Sequence, residues 1–301
     1  MTSSSDLVAV LDLEPDGHDR FVGHSLENGW RRVFGGQALA QSLVAAQRTI
    51  PDRAVHSLHA YFLLAGDPGE PIRFEVERLR EGRSFATRRV VAKQRGEAIF
   101  VLSASFQVEE PGPEHFLPAP KTLGPEDSFF SDAKLAALPE AARARVEATL
   151  GRIAPIQTRA TDLGRYSRAP GTPADPRQNL WIRIAPTLPD DPALHRAAIV
   201  YLSDMTLLDT ALAAHGHNVF DGSHQVASLD HALWFHRPAR ADQWLLYAQD
   251  SPNTSGARGL TRGLLYGEDG VLIASVAQEG LVRPVRTKGE GPPPPKRSAV
   301  M

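Results

Sequence analysis

The chain contains no cysteine. Disulfides, thiolate zinc sites and a cysteine nucleophile are therefore excluded from its chemistry. A thiol-free composition suits a reducing compartment, and a cytoplasmic location is the expectation. Excess charge of either sign is also missing. Thirty-three Lys and Arg face 35 Asp and Glu, a net charge of −2. No global field favours nucleic acid or an anionic membrane surface. No uncharged apolar run approaches the ~20 residues that cross a bilayer, so membrane insertion is not expected. The N-terminal MTSSSDLVAV has no basic stretch leading into an apolar one, and no signal peptide is visible. There is no HExxH metal motif, no glycine-rich phosphate loop and no G-x-S-x-G elbow around a serine. Eleven histidines are present, but none pairs with a second at helical spacing beside a carboxylate. Neither a metal nor a bound cofactor is expected.

What is there is a repeat. FGGQALAQSLVAA (Phe34 to Ala46), HSLHAYF (His56 to Phe62) and a charged hairpin ending SASFQ (Ser103 to Gln107) form one series. LSDMTLLDTALAA (Leu202 to Ala214), SLDHALWF (Ser228 to Phe235) and a hairpin ending SVAQ (Ser275 to Gln278) form another. Each runs from a small-residue helix to an aromatic strand, then through longer strands to a terminal Gln. Ser57 and Gln107 have the same separation as Ser228 and Gln278, although pairing Phe62 with Phe235 shifts the register by two. Only the second copy carries a carboxylate, which suggests a duplicated unit with one asymmetric site.

The 301 residues are 42% hydrophobic and 23% charged, ordinary values for a globular chain with a large core. The expected fold class is α+β: two curved antiparallel sheets, each wrapped round a long apolar helix. The expected units are residues 7–108 and 177–286, separated by a proline-rich connector, 109–176, with a helix over Asp132 to Leu150. Residues 287–301, with Pro292 to Pro295, read as a disordered tail. Alternation and turn signals predict strands at 20–25, 55–64, 72–80, 85–94, 98–108, 180–184, 226–236, 244–250, 257–266 and 271–282. Val8 to Leu13 reads as a short helix. Lys93 to Glu97 and Asp269-Gly270 read as hairpin turns.

Three residues of the second copy could carry chemistry. Asp204 interrupts the apolar run Ile199 to Leu208. It is either a helix cap or a carboxylate held near apolar surface, where it would orient or deprotonate a water. Ser203 is a reasonable N-cap for a helix starting there. Ser228 opens a strand. Alternation along that strand puts Ser228 and Asp230 on one face and His231 on the other. Ser228 is therefore expected to donate or accept a hydrogen bond and not to act as a nucleophile. Gln278 breaks an otherwise apolar strand, where an amide needs partners. His231 and His236 flank Trp234-Phe235 and read as packing or ligand contacts. Gly35-Gly36 opens the first helix and could offer N–H groups to an anion.

Longer segments then carry a resemblance. FVGHSLENGWRRVFGGQALAQSL, HSLHAYFLLAGDP, LREGRSFATRRV, YLSDMTLL, SLDHALWFHRPARADQWLLY and SGARGLTRGLLYGEDGVLIASVAQEGLVR are together similar to the acyl-CoA thioesterase II family of double-hotdog hydrolases. The resemblance covers roughly residues 7 to 285. It implies two hotdog units and hydrolysis of an acyl-CoA thioester to fatty acid and CoA, without a bound cofactor. It implies Asp204, Ser228 and Gln278 as catalytic residues that activate a water. Ser228 stands where family members commonly have Thr; it keeps the oxygen and loses the methyl that restrains the rotamer. The first copy has Gly35-Gly36-Gln37 where the second has its Asp, so one site is expected, in the second unit or at the junction. A homo-oligomer, dimer or tetramer, is expected. The rivals are a silent acyl-CoA binding protein and a hotdog enoyl-CoA hydratase, whose Asp and His pair is not seen.

Overall fold

In the computed structural model, residues 4–25, 31–138, 140, 143–144, 147, 153, 155–162, 171–185, 187–219 and 221–285 are described. The predicted tail and most of the connector helix beyond its first turns lie outside them. That helix is represented by α3 (Asp132–Ala136).

Alternating apolar residues build a long antiparallel sheet from both halves of the chain. The first half supplies β1 (Glu14–Pro15), β2 (Arg20–Gly23), β3 (Ala54–Phe62), β4 (Ile72–Glu81), β5 (Phe85–Gln94) and β6 (Glu97–Gln107). The connector adds β7 (Ile156–Ala160). The second half supplies β8 (Arg177–Ile184), β9 (His224–Ser228), β10 (Asp230–Phe235), β11 (Leu245–Ser255), β12 (Arg258–Gly267) and β13 (Leu272–Pro284). The order is β1-β2-β4-β5-β6-β3-β10-β13-β12-β11-β8-β7, with β9 paired to β13 off this path. The halves meet where β3 pairs with β10, Tyr61 opposite Asp230 and Ser57 opposite Trp234.

Local chemistry explains the hairpins. Arg95 and Gly96 both have positive φ, 50° and 87°, the twist that joins β5 to β6 in a tight turn. Gly270, φ 80°, turns the chain into β13. The connector lies against the second half. Its β7 pairs with β8, and Trp181 donates its indole N–H to the Leu123 carbonyl at 2.8 Å.

The helices fill the inner side. α1 (Ser4–Leu11) drives Leu7 and Leu11 into the core. α2 (Gly35–Arg48) is apolar nearly all round and buried along its length, packed against β4, β5 and β6. Its two buried glutamines are partnered: Gln41 donates to the Val10 and His24 carbonyls, each at 2.9 Å, and Gln37 donates to Gln41 at 3.2 Å.

The second half differs from the single long helix expected. α4 (Pro192–Ser203) starts at Asp191, whose carboxylate accepts the Ala193 N–H at 2.8 Å, with Pro192 in the first turn. It packs against α2. α5 (Leu207–Ala213) starts afresh and packs on β11 and β12. Ser203 is not the N-cap of α5. It closes α4, its hydroxyl lying 2.8 Å from the Val200 carbonyl, and Thr206 holds the N-cap position instead. Thr206 has φ 69°, a left-handed conformation that is costly for a β-branched residue. Gln249 braces it, donating to the Thr206 hydroxyl at 2.8 Å and the Met205 carbonyl at 3.2 Å.

Candidate active site

The break between α4 and α5 puts a carboxyl where a helix would have hidden it. Asp204 is the C-cap of α4, so it does not cap a helix start. A carboxylate at a helix C-terminus faces the negative end of the dipole. The compensation comes from the other half of the molecule. The first turn of α2 abuts Asp204, and the Gly36 backbone N–H donates to its carboxylate. A Cβ on Gly35 would stand 2.6 Å from Asp204 Oδ2 and 2.9 Å from the Phe62 ring. A Cβ on Gly36 would stand 2.2 Å from the Tyr201 carbonyl oxygen. Glycine at both positions is what lets the positive end of α2 reach the carboxylate.

Two side chains complete the donor set. Ser228 donates its hydroxyl to Asp204 Oδ1 at 3.3 Å. The Gln278 amide donates to Ser228 Oγ at 2.8 Å and also to Asp204. Asp204 keeps partial access to solvent, yet its carboxyl is enclosed by protein. Burial pushes its pKa up from 3.8 to about 7, against the opposing pull of Gln278, Ser228 and the Gly36 N–H. The result is a group that is both ionisable near neutrality and ringed by donors.

All three residues named from the sequence thus come within one hydrogen-bonded cluster. Strict alternation is broken between Ser228 and His231, contrary to the expectation that they lie on opposite faces. Ser228 pairs with Gly280 and Ala232 with Ala277, so three residues on one strand face two on the other. This bulge separates β9 from β10, and the Leu229 N–H donates to the Glu279 carbonyl at 2.9 Å within it. The extra residue reverses the face, and His231 joins Ser228 and Gln278 on the inner side. His231 is buried, with Nδ1 2.6 Å from Gln278 Oε1 and Nε2 2.9 Å from Ser203 Oγ. Burial lowers its pKa from 6.5 to about 4, partly opposed by the Gln278 contact, so the ring is neutral at pH 7. His236 sits apart on the outer side, 2.8 Å from Ser275 Oγ.

The terminal glutamines of the repeat are not equivalent. Ser228 stands opposite Gly280, two residues past Gln278, whereas Ser57 stands opposite Ser105, two residues short of Gln107. The matching separations are coincidental. Gln107 is partly exposed and reaches Glu110 at 3.4 Å.

Comparison with known proteins decides the family. The acyl-CoA thioesterase family model matches residues 156–281, and the model of the acyl-CoA thioesterase N-terminal domain matches residues 26–107. Human acyl-coenzyme A thioesterase 8 is 39% identical, over 92% of this chain and 88% of its own length. Acyl-CoA thioesterase 2 of Haemophilus influenzae is 37% identical, over 93% and 97%. The chain belongs to the acyl-CoA thioesterase family. It is a thioester hydrolase. Among solved structures, an acyl-CoA thioesterase II, TesB2, from Mycobacterium marinum is 42% identical, with a TM-score of 0.74 over 92% of this chain and 98% of that one. A hot dog fold protein from Alicyclobacillus acidocaldarius, 19% identical, matches with a TM-score of 0.73 over 95% of this chain and all of that one, and speaks to the fold alone. Among the described residues no helix is long and apolar enough to cross a membrane.

Proposed function

We propose that this thioesterase hydrolyses acyl-CoA to free fatty acid and CoA by direct attack of water, with Asp204 as general base. The observation that carries this reading is the enclosed Asp204 carboxyl, with a pKa of about 7 and donors from Ser228, Gln278 and Gly36. Water bound among these groups gives its proton to Asp204 as its oxygen attacks the thioester carbonyl carbon. The carbonyl oxygen becomes negative and lies at the positive end of α2, which favours it. Collapse of the tetrahedral intermediate breaks the C–S bond, and the proton held by Asp204 goes to the departing CoA sulfur. Ser228 positions the water and forms no acyl intermediate. No step calls for a metal or cofactor.

On the same reading the two halves are paired hotdog units, 7–108 and 177–286, joined through β3 and β10, with 109–176 as the connector. The helix of the second unit is the divided α4–α5 pair. One site per chain lies at the junction, because the carboxylate comes from one half and the helix N-terminus from the other.

The test is release of free thiol from short, medium and long acyl-CoA, with hydration of an enoyl-CoA followed alongside. Thiol release with turnover supports the proposal. Binding without release, or hydration in its place, refutes it.

A further inference from the structure

We propose that His231, polarised by Ser203, is a positioning residue that holds Gln278 in the amide orientation aiming its N–H groups at Ser228 and Asp204. This rests on the site described above, and on the thioesterase reading only for its kinetic readout.

Gln278 has two ways to lie. In one, its carbonyl faces His231 and its NH2 faces Ser228 and Asp204. In the other the two ends exchange, and a carbonyl oxygen confronts the carboxylate. The first satisfies Asp204 as an anion and the second repels it. His231 chooses between them. A neutral imidazole has one N–H. With the proton on Nδ1, the ring donates to Gln278 Oε1 across 2.6 Å and the first orientation is fixed. With the proton on Nε2, Nδ1 is an acceptor and draws the NH2 end instead.

Ser203 biases the tautomer. Its hydroxyl lies 2.9 Å from Nε2. Its single proton has two acceptors within reach, the Val200 carbonyl at 2.8 Å and Nε2; when it goes to Nε2, Nδ1 must carry the ring proton. The chain of donors then runs one way, from Ser203 to His231, to Gln278, to Ser228 and to Asp204, with the last bonds at 2.8 Å and 3.3 Å. Ser203 and Asp204 are neighbours in sequence, so the relay starts and ends at the same break between α4 and α5. Ser203 is itself held there: Tyr247, fully buried, donates its hydroxyl to the Ser203 carbonyl at 2.7 Å. His231 and Gln278 are both nearly inaccessible to water, so no solvent molecule replaces a lost donor.

The experiment titrates the Asp204 carboxyl directly, by carbon NMR of protein labelled at aspartate, and measures kcat against pH. In His231→Leu, Gln278 Oε1 loses its donor and the amide is free to turn. The Asp204 midpoint should rise by about one pH unit, as a carboxylate does on losing a hydrogen-bond donor. The acid limb of kcat should move with it, and kcat at pH 7 should fall about tenfold, as the base is then mostly protonated and the water misplaced. His231→Asn places an amide N–H near the Nδ1 position and should restore most of both. Ser203→Ala should shift the midpoint the same way by less. An unchanged midpoint in folded His231→Leu overturns the proposal, as does lost turnover without a shift, which would make His231 a packing residue. If His231→Leu does not fold by circular dichroism, Ser203→Ala decides: an unchanged midpoint overturns the proposal. If the wild type releases no thiol from acyl-CoA, the functional reading fails, while the NMR shift still tests the positioning role.

Discussion

Replacing Asp204 by Asn separates a working base from a structural cap, because the two roles predict opposite signs in stability and activity. Asn is nearly isosteric and cannot take a proton from water. As a general base, Asp204 contributes roughly 10²–10⁴-fold, so kcat should fall by at least ~10²-fold in folded protein. The carboxylate is also costly to the fold. Its pKa rises from 3.8 to about 7 on folding, which corresponds to about 4 kcal/mol of stability lost on ionisation. The sign follows from the raised value: the folded protein holds the proton more tightly, so the contribution is complete below pH 3.8 and is lost as pH rises through about 7.

His231 works in the opposite direction over nearly the same window. Its folded pKa is depressed from 6.5 to about 4. Its stability is present above pH 6.5 and is lost as pH falls toward 4, by about 3 kcal/mol. In the wild type the two effects largely cancel. Asp204→Asn removes one of them. The stability advantage of Asp204→Asn over the wild type should therefore grow between pH 4 and pH 7 and level off above it, and the variant alone should weaken in acid. Urea denaturation at each pH, beside a steady-state thiol-release assay, measures both. Turnover within a few-fold of wild type, or a stability difference that ignores pH, would refute the reasoning.

Other perturbations test the rest of the site. In wild type, kcat should rise with pH through a midpoint near 7, where Asp204 ionises, since only the carboxylate can accept a proton; a rate profile flat from pH 5 to 9 would contradict this. Ser228→Thr keeps the hydroxyl and should retain turnover, whereas Ser228→Ala should lose it, and mass spectrometry during turnover should find no acyl group on Ser228. Gly36→Ala forces a methyl to within 2.2 Å of the Tyr201 carbonyl, so its folding stability should fall by ~1–3 kcal/mol, read as a lower melting temperature, and its activity should fall too. Gln278→Ala should lower kcat strongly; Gln107→Ala, at a partly exposed residue with one long bond, should change kcat and melting temperature little.

The strands were mostly legible because their alternation and turn residues agree. β5 runs Phe85–Gln94 as read, since Arg95-Gly96 leaves no alternative turn. β1 has two residues and β7 lies among prolines, so neither offers a periodic signal. The division of α4 from α5 was hinted at only by Ser203 as a candidate N-cap. The break depends on a left-handed Thr206, a conformation that sequence disfavours and that Gln249 holds from a distant strand. The bulge at Leu229 carries neither Gly nor Pro, so nothing announced that His231 would turn inward. The equal spacing of the two Ser and Gln pairs misled for a related reason: it counts residues along the chain, while equivalence in a sheet is set by ladder register. Asp204 and Gln278 stood out as polar residues in apolar runs, Ser228 as the opening of a strand, and the family resemblance joined the three.

The first half of the molecule does more than complete a symmetric shell. It has no carboxylate to match Asp204, and its glutamine at 107 lies outside any comparable cluster. Yet the site is incomplete without it. Asp204 ends α4, where the dipole opposes a negative charge, and nothing on its own helix offsets that. The offset comes from α2, whose N-terminus presents the Gly36 N–H. The Asp204 carboxylate and the bare backbone at Gly35 and Gly36 are thus the two sides of a single contact. A side chain at either glycine would push α2 away from the carboxyl or from α4. A duplicated fold with two equivalent sites would need both roles in each copy. On the proposed reading each half carries one of the two roles, and the chemistry lies where they touch.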